Sequence, residues 1–122
     1  MQGSDQFIAI HQDDMEWADD AEVLTLPEGV QIKLLSTDPE TGRIDMMVRF
    51  PPGYVEPRHS HEGCHSGVIL EGEMHVVGKV MKPGDYVFGP GRKIPHGPMA
   101  YPKGCTVFAS FYGDPAHTEA AE

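Results

Sequence analysis

Glycine and proline break this chain at nearly regular intervals, and no other feature limits its fold as tightly. The interruptions are LPEGV (26–30), DPETG (38–42), PPG (51–53), EGE (71–73), KPGD (82–85), GPG (89–91) and PKG (102–104). Together, 14 glycines and 11 prolines make 25 of the 122 residues, which leaves no room for long helices. Between the turns lie short runs rich in β-branched and aromatic residues: VQIKLL (30–35), IDMMVRF (44–50), GVIL (67–70), MHVV (74–77), DYVF (85–88) and CTVFASFY (105–112). Strands of that length, recurring roughly every ten residues, predict an all-β sandwich or barrel. The sequence shows no strand–helix alternation and no internal repeat.

A chain of 122 residues is long enough for one hydrophobic core. The expected layout is an acidic N-terminal arm over 1–29, a barrel over 30–113 and a flexible tail over 114–122. The arm segment DDMEWADDAE (13–22) carries six carboxylates around Trp17. It is expected to be a short helix or an extended arm that tucks the indole against the barrel. A net charge of −10 argues against nucleic acid and anionic membrane surfaces as partners. No apolar run approaches the ~20 residues of a membrane span. The start has no basic region followed by an apolar run, so a cleavable signal is not expected. Cys64 and Cys105 form no Cys-x-x-Cys pair; both are expected to be small packed residues in a reducing cytoplasm.

Three of the seven histidines fall within RHSHEGCHSG (58–67). His59 and His61, two apart, point to one face of a strand, so both imidazoles can converge on one ion. His65 keeps the same parity once the chain has turned at Gly63. His96 follows the turn-rich FGPGRKIPHGP and is the distant ligand that an antiparallel neighbour would supply. This His-x-His-x-x-x-His pattern in a β-rich context predicts a metal site made of His59, His61, His65 and His96. His11, His75 and His117 stand alone and call for no functional role.

These residues resemble the first signature of the cupin superfamily: Gly53, five residues, His59-x-His61, three residues, His65, six residues, Gly72. GDYVFGPGRKIPH (84–96) is similar to the second, with Gly91 directly after Pro90, His96 one residue later than usual, and Ala100 where an asparagine often sits. His65 occupies the position where most cupins carry a glutamate ligand. The wider pattern, over about residues 30 to 112, looks like the cupin domains of zinc-binding anti-sigma factors. It also looks like the related small dioxygenases that cleave carbon–carbon bonds in dihydroxyacetophenone and acetylacetone. No helical sigma-binding segment precedes the barrel, which favours the enzyme over the regulator.

The resemblance implies a cupin-type double-stranded β-helix, or jelly-roll barrel, working as a homodimer with one divalent transition metal per chain. Fe(II) is favoured, with Zn, Ni or Mn as alternatives. The expected function is a mononuclear non-haem dioxygenase acting on a small diketone or hydroxyketone. The alternatives are a Lewis-acid lyase, isomerase or decarboxylase and a non-catalytic metal-dependent sensing module. Four imidazoles keep the ion's full charge, so the expected small-molecule ligand is anionic or enolisable. His65 has two roles to choose between, a fourth ligand or a base outside the first shell, and ligation is favoured because the position matches the family's ligand position. In IDMMVRF, Met47 and Arg49 share one face and Met46, Val48 and Phe50 the other. If the odd-numbered face points inward, Arg49 becomes a candidate catalytic residue, holding a carboxylate or enolate. Phe108, Ser110 and Tyr112 share a face of the last long strand, expected to serve core or interface.

Overall fold

The computed structural model describes residues 6–19, 27–113 and 117–119. Nearly all of them that are regular are extended. A single 3-10 turn, Gln12–Asp14, precedes strands β1 (Gln31–Asp38), β2 (Arg43–Phe50), β3 (Tyr54–Glu56), β4 (His59–His61), β5 (His65–Gly72) and β6 (Met74–Val76). They continue with β7 (Lys79–Met81), β8 (Tyr86–Gly89), β9 (Met99–Tyr101), β10 (Cys105–Tyr112) and β11 (His117–Glu119). A five-stranded antiparallel sheet in the order β1-β2-β10-β5-β8 faces a four-stranded one in the order β3-β9-β6-β7. This is the all-β jelly-roll barrel of a cupin. No helix among the described residues is long and apolar enough to cross a membrane.

Strand register decides which residues look into the barrel. Val48 pairs with Val107 and Met46 with Ala109, while Val107, Ala109 and Phe111 face Ile69, Gly67 and His65 across β5. A side-chain period of two then turns all of these to the same inner face. The inner core is Ile69, Met74, Met99, Tyr101, Cys105 and Val107, with Phe50 and Tyr54 packed against it. Ile69 and Tyr101 are 1% and 0% exposed. Burying a side chain of this size contributes about 1.5–3 kcal/mol. Cys105 belongs to this core, and burial pushes its thiol up to about 11, so it is an unreactive packing residue.

The outer face of the large sheet is covered by the N-terminal arm. After the 3-10 turn the arm is extended, and Ala18 bridges Ile32 through two backbone hydrogen bonds of 2.9 Å. Trp17 lies beneath two cations, with Lys33 Nζ 4.8 Å and the Arg49 guanidinium 4.3 Å from its ring. Lys33, 5% exposed, donates to the Gln12 carbonyl and to Gln12 Oε1 at 2.9 Å each. The arm is therefore extended with its indole tucked against the barrel; residues 20–22 of the acidic segment lie outside the described ones.

Two placements differ from expectation. The condition set for Arg49 is not met, because the even-numbered face of β2 points inward. Arg49 sits on the outer face, donating to Gln31 Oε1 and stacked over Trp17, where it cannot reach a ligand in the barrel. The tail expected over 114–122 contains a strand, since β11 pairs antiparallel with β4. Its residues were too short a run, in too polar a stretch, to register as a strand in sequence.

Candidate metal centre

The histidines converge because of backbone pairing. His59 and His96 form an isolated antiparallel bridge, with His59 N–H donating to the His96 carbonyl at 2.9 Å and His96 N–H to the His59 carbonyl at 2.8 Å. The backbone of Lys93 donates to the His61 carbonyl at 2.9 Å, so the loop after β8 runs along β4. On its other edge, β4 is paired with β11. A three-residue strand held on both sides presents His59 and His61 inward with little freedom. His59 and His61 are 1% and 5% exposed.

One ligand atom from each of His59, His61 and His96 lies within 4.8 Å of the others. Ligands held ~2.1 Å from a common ion stand about 3–4 Å apart, so binding would need only a small inward movement of the three rings. The rings of His59 and His96 are 4.3 Å apart, those of His59 and His61 4.9 Å, and those of His61 and His96 5.2 Å. His59 Nδ1 is 2.6 Å from the Pro57 carbonyl oxygen. A carbonyl only accepts, so Nδ1 carries the hydrogen and Nε2 keeps its lone pair.

His65 stands beside this triad without joining the converging set. Its ring is 4.8 Å from His61 and 5.2 Å from His96, and it stacks on Phe111 at 4.7 Å with the rings 11° from parallel. Space for it comes from Gly89 on β8, where a Cβ would stand 2.4 Å from His65 Cε1. Gly63 does similar service at the preceding bend, since a Cβ there would meet the Tyr112 carbonyl oxygen at 1.5 Å. Burial first, then the neighbouring imidazoles of His61, His96 and His59, hold the His65 pKa down to about 3. His65 is therefore neutral at pH 7, and its buried Nδ1 has no hydrogen-bond partner among the described residues. Burial also lowers the His59 pKa, against the Pro57 hydrogen bond that raises it. Converging imidazoles with a partnerless buried nitrogen next to them are a donor set suited to a divalent transition metal.

The four histidines open onto a cavity of about 390 Å³. Its walls are apolar: Ile32, Met46, Val48, Phe50, Val87, Val107 and Phe111 among others. Two polar residues that sequence reasoning passed over also line it. Glu56, 9% exposed, accepts a hydrogen bond from the Tyr101 hydroxyl at 3.1 Å, and its other oxygen is 3.8 Å from His59 Nε2. Burial, then the Glu56 carboxylate, raise the Tyr101 pKa well above the ordinary phenol range, so Tyr101 remains a donor. The available signal was period-two parity with Tyr54 in β3.

A small jelly-roll barrel with a histidine cluster opening into its interior is the architecture of a cupin. The chain belongs to the ChrR cupin-like domain family, whose profile matches residues 5–112. Among solved structures, it is similar to the acetylacetone dioxygenase of Acinetobacter johnsonii, with 22% identity and a TM-score of 0.66 over 88% of this chain and 74% of that one. It is also similar to the polyketide cyclase RemF of Streptomyces resistomycificus, with 20% identity and a TM-score of 0.70 over 96% and 87% of the two chains. A third is the Rhodobacter sphaeroides SigE complex with the anti-sigma ChrR, with 24% identity and a TM-score of 0.61 over 80% of this chain and 50% of that one. At these identities the likeness is one of fold. No characterised protein sequence matches the chain closely enough to add to this.

Proposed function

We propose that this cupin holds one divalent metal on His59, His61 and His96 and works as a mononuclear non-haem Fe(II) dioxygenase. Its substrate would be a small diketone or hydroxyketone, cleaved at a carbon–carbon bond. The observation that carries this reading is the opening of three converging imidazoles into an apolar cavity of about 390 Å³, large enough for a small organic molecule. The similarity to an acetylacetone dioxygenase supports the substrate class. When bound, the ion supplies Lewis acidity toward a carbonyl or enolic oxygen and, as Fe(II), the redox chemistry that dioxygen requires.

The chain's own residues do the rest. Pro57 fixes the His59 tautomer and aims Nε2 at the ion. The aliphatic and aromatic walls keep water from the reacting centre and strengthen every polar contact inside it. His65, neutral and beside the triad, can accept a hydrogen bond from the substrate through its buried nitrogen, while a pKa held down to about 3 makes it a weak base.

The test is dioxygen uptake by the Fe(II)-loaded protein with small β-diketones and hydroxyketones. Substrate-dependent uptake that disappears in His61→Ala supports the dioxygenase. Metal binding with no uptake moves the weight to a Lewis-acid lyase, isomerase or decarboxylase using Zn, Mn or Ni. The sensing module is the second reading, favoured by the ChrR-type family match and by likeness to the SigE–ChrR complex. A homodimer remains part of the proposal: Tyr86 and Phe88 on the edge strand β8 are 60% and 58% exposed, and light scattering decides the state.

A further inference from the structure

The strand that carries two of the three converging histidines belongs to neither of the two barrel sheets. β4 forms a separate two-stranded sheet with β11, and its opposite edge is taken by the loop that leads to His96. His59 exchanges two backbone hydrogen bonds with His96, at 2.9 and 2.8 Å. Successive strand residues turn their backbone groups to opposite edges, so those of Ser60 point the other way, toward β11. Opposite Ser60 stands Thr118, flanked by His117 opposite His61 and Glu119 opposite His59. Ser60 is 8% exposed, and a buried N–H and C=O are costly to leave without partners. The backbone of Thr118 is placed to supply both. β11 itself is a strand of three residues, and a pairing that short is marginal by itself. It starts close to its dock: Tyr112, at the end of β10, donates its N–H to the Cys64 carbonyl at 2.9 Å, just beyond β4. A short connection costs little closure entropy, so β11 docks and opens locally without unfolding the barrel.

We propose that Thr118 is a positioning residue for the metal ligands and β11 a clasp: the docking of β11 on β4 and the binding of an ion by His59, His61 and His96 strengthen each other. The inference rests on the three-histidine site of the proposed function and adds what holds that site in register. With β11 docked, Ser60 is fixed from one edge and His59 from the other, so the two histidines that flank Ser60 keep their spacing. With β11 released, water reaches the freed edge and β4 frays where both ligands sit. A transition metal holds its ligands to within about 0.2 Å, so it binds the docked form more tightly. Linkage makes the effect mutual: the factor that β11 adds to metal affinity is the factor that the ion adds to the docking of β11.

Zinc titration against a chromophoric chelator tests this on wild type, a chain ending at Ala116, Thr118→Pro and Thr118→Val. Thr118→Pro keeps His117 but lacks the N–H that the ladder needs, whereas Thr118→Val retains it. The shortened chain and Thr118→Pro should each bind zinc at least about fivefold more weakly, and Thr118→Val as tightly as wild type. In wild type, zinc should slow amide hydrogen exchange at 117–119 by a similar factor. A strand with a merely structural role, opening independently of the ion, gives no such response. Unchanged affinity in the two disrupted variants, a loss shared by Thr118→Val, or exchange indifferent to zinc would overturn the proposal. Should the shortened chain and Thr118→Pro fail to fold, exchange in wild type decides by itself. A wild type that binds no zinc overturns the metal site and the clasp together, while zinc held equally well without β11 overturns the clasp alone.

Discussion

His59 donates its Nδ1 hydrogen to the Pro57 carbonyl oxygen across 2.6 Å, and that contact settles which nitrogen of the ring is left for a ligand bond. Pro57 is itself the residue that stiffens the approach to β4. The same short step of chain therefore sets both the direction of the strand and the tautomer of its first histidine.

His65 lies next to the triad but outside its converging set. His65→Gln should retain metal affinity to within about tenfold, the range expected for a partner one shell out. Substrate turnover should fall by at least about tenfold, since the variant loses the neutral imidazole that accepts a hydrogen bond from the substrate. Competition with a chromophoric chelator measures the first and steady-state kinetics the second. A collapse of metal affinity would restore His65 as a ligand.

Gly89 is the floor beneath His65. Gly89→Ala sets a methyl 2.4 Å from Cε1 of the imidazole, and the ring must move. The substitution should destabilise the fold by about 1–3 kcal/mol, the usual range for overpacking. Chemical denaturation checks this. No change in stability would mean that the imidazole is free to leave.

Burial and the neighbouring histidines hold the His65 pKa down to about 3 from 6.5. A proton therefore binds the unfolded chain more readily than the folded one. The resulting stability of the metal-free protein is complete above about pH 6.5 and is lost as the pH falls toward about 3. His59, lowered by burial, acts in the same direction. Thermal unfolding of metal-free wild type should show a falling midpoint across that window, and His65→Gln a shallower fall.

Arg49 holds the arm. Arg49→Ala removes one of the two cations over Trp17 and the contact with Gln31, at a cost of about 0.5–2 kcal/mol. Metal affinity should not change. Trp17 fluorescence reports the loosened arm, and altered metal affinity would contradict its placement on the outer face.

Much of this was legible in the residues. The six long apolar runs became β1, β2, β5, β6, β8 and β10, because glycine and proline confine each to one strand. The histidine spacing placed His59 and His61 on one face, and His96 came back as an antiparallel neighbour. The strands β3, β7, β9 and β11 have three residues each and lie outside those apolar runs, too short for periodicity to declare itself. The facing of β2 is in fact written in its alternation: Arg43, Asp45, Met47 and Arg49 fall on one face and Ile44, Met46, Val48 and Phe50 on the other, so a two-residue period turns the even-numbered face inward once the strand is taken to begin at Arg43. Glu56 was missed because hydrophobicity alone puts Val55 inside, and a partner of the buried acid, the Tyr101 hydroxyl, lies 45 residues away.

The central claim is one metal ion on His59, His61 and His96, and the most direct measurement is metal content and zinc titration of protein purified without an affinity tag. The account predicts about one ion per chain, with affinity reduced by more than about 100-fold in His61→Ala. A wild type that binds no transition metal, or a His61→Ala variant that binds it as tightly as wild type, would contradict the account.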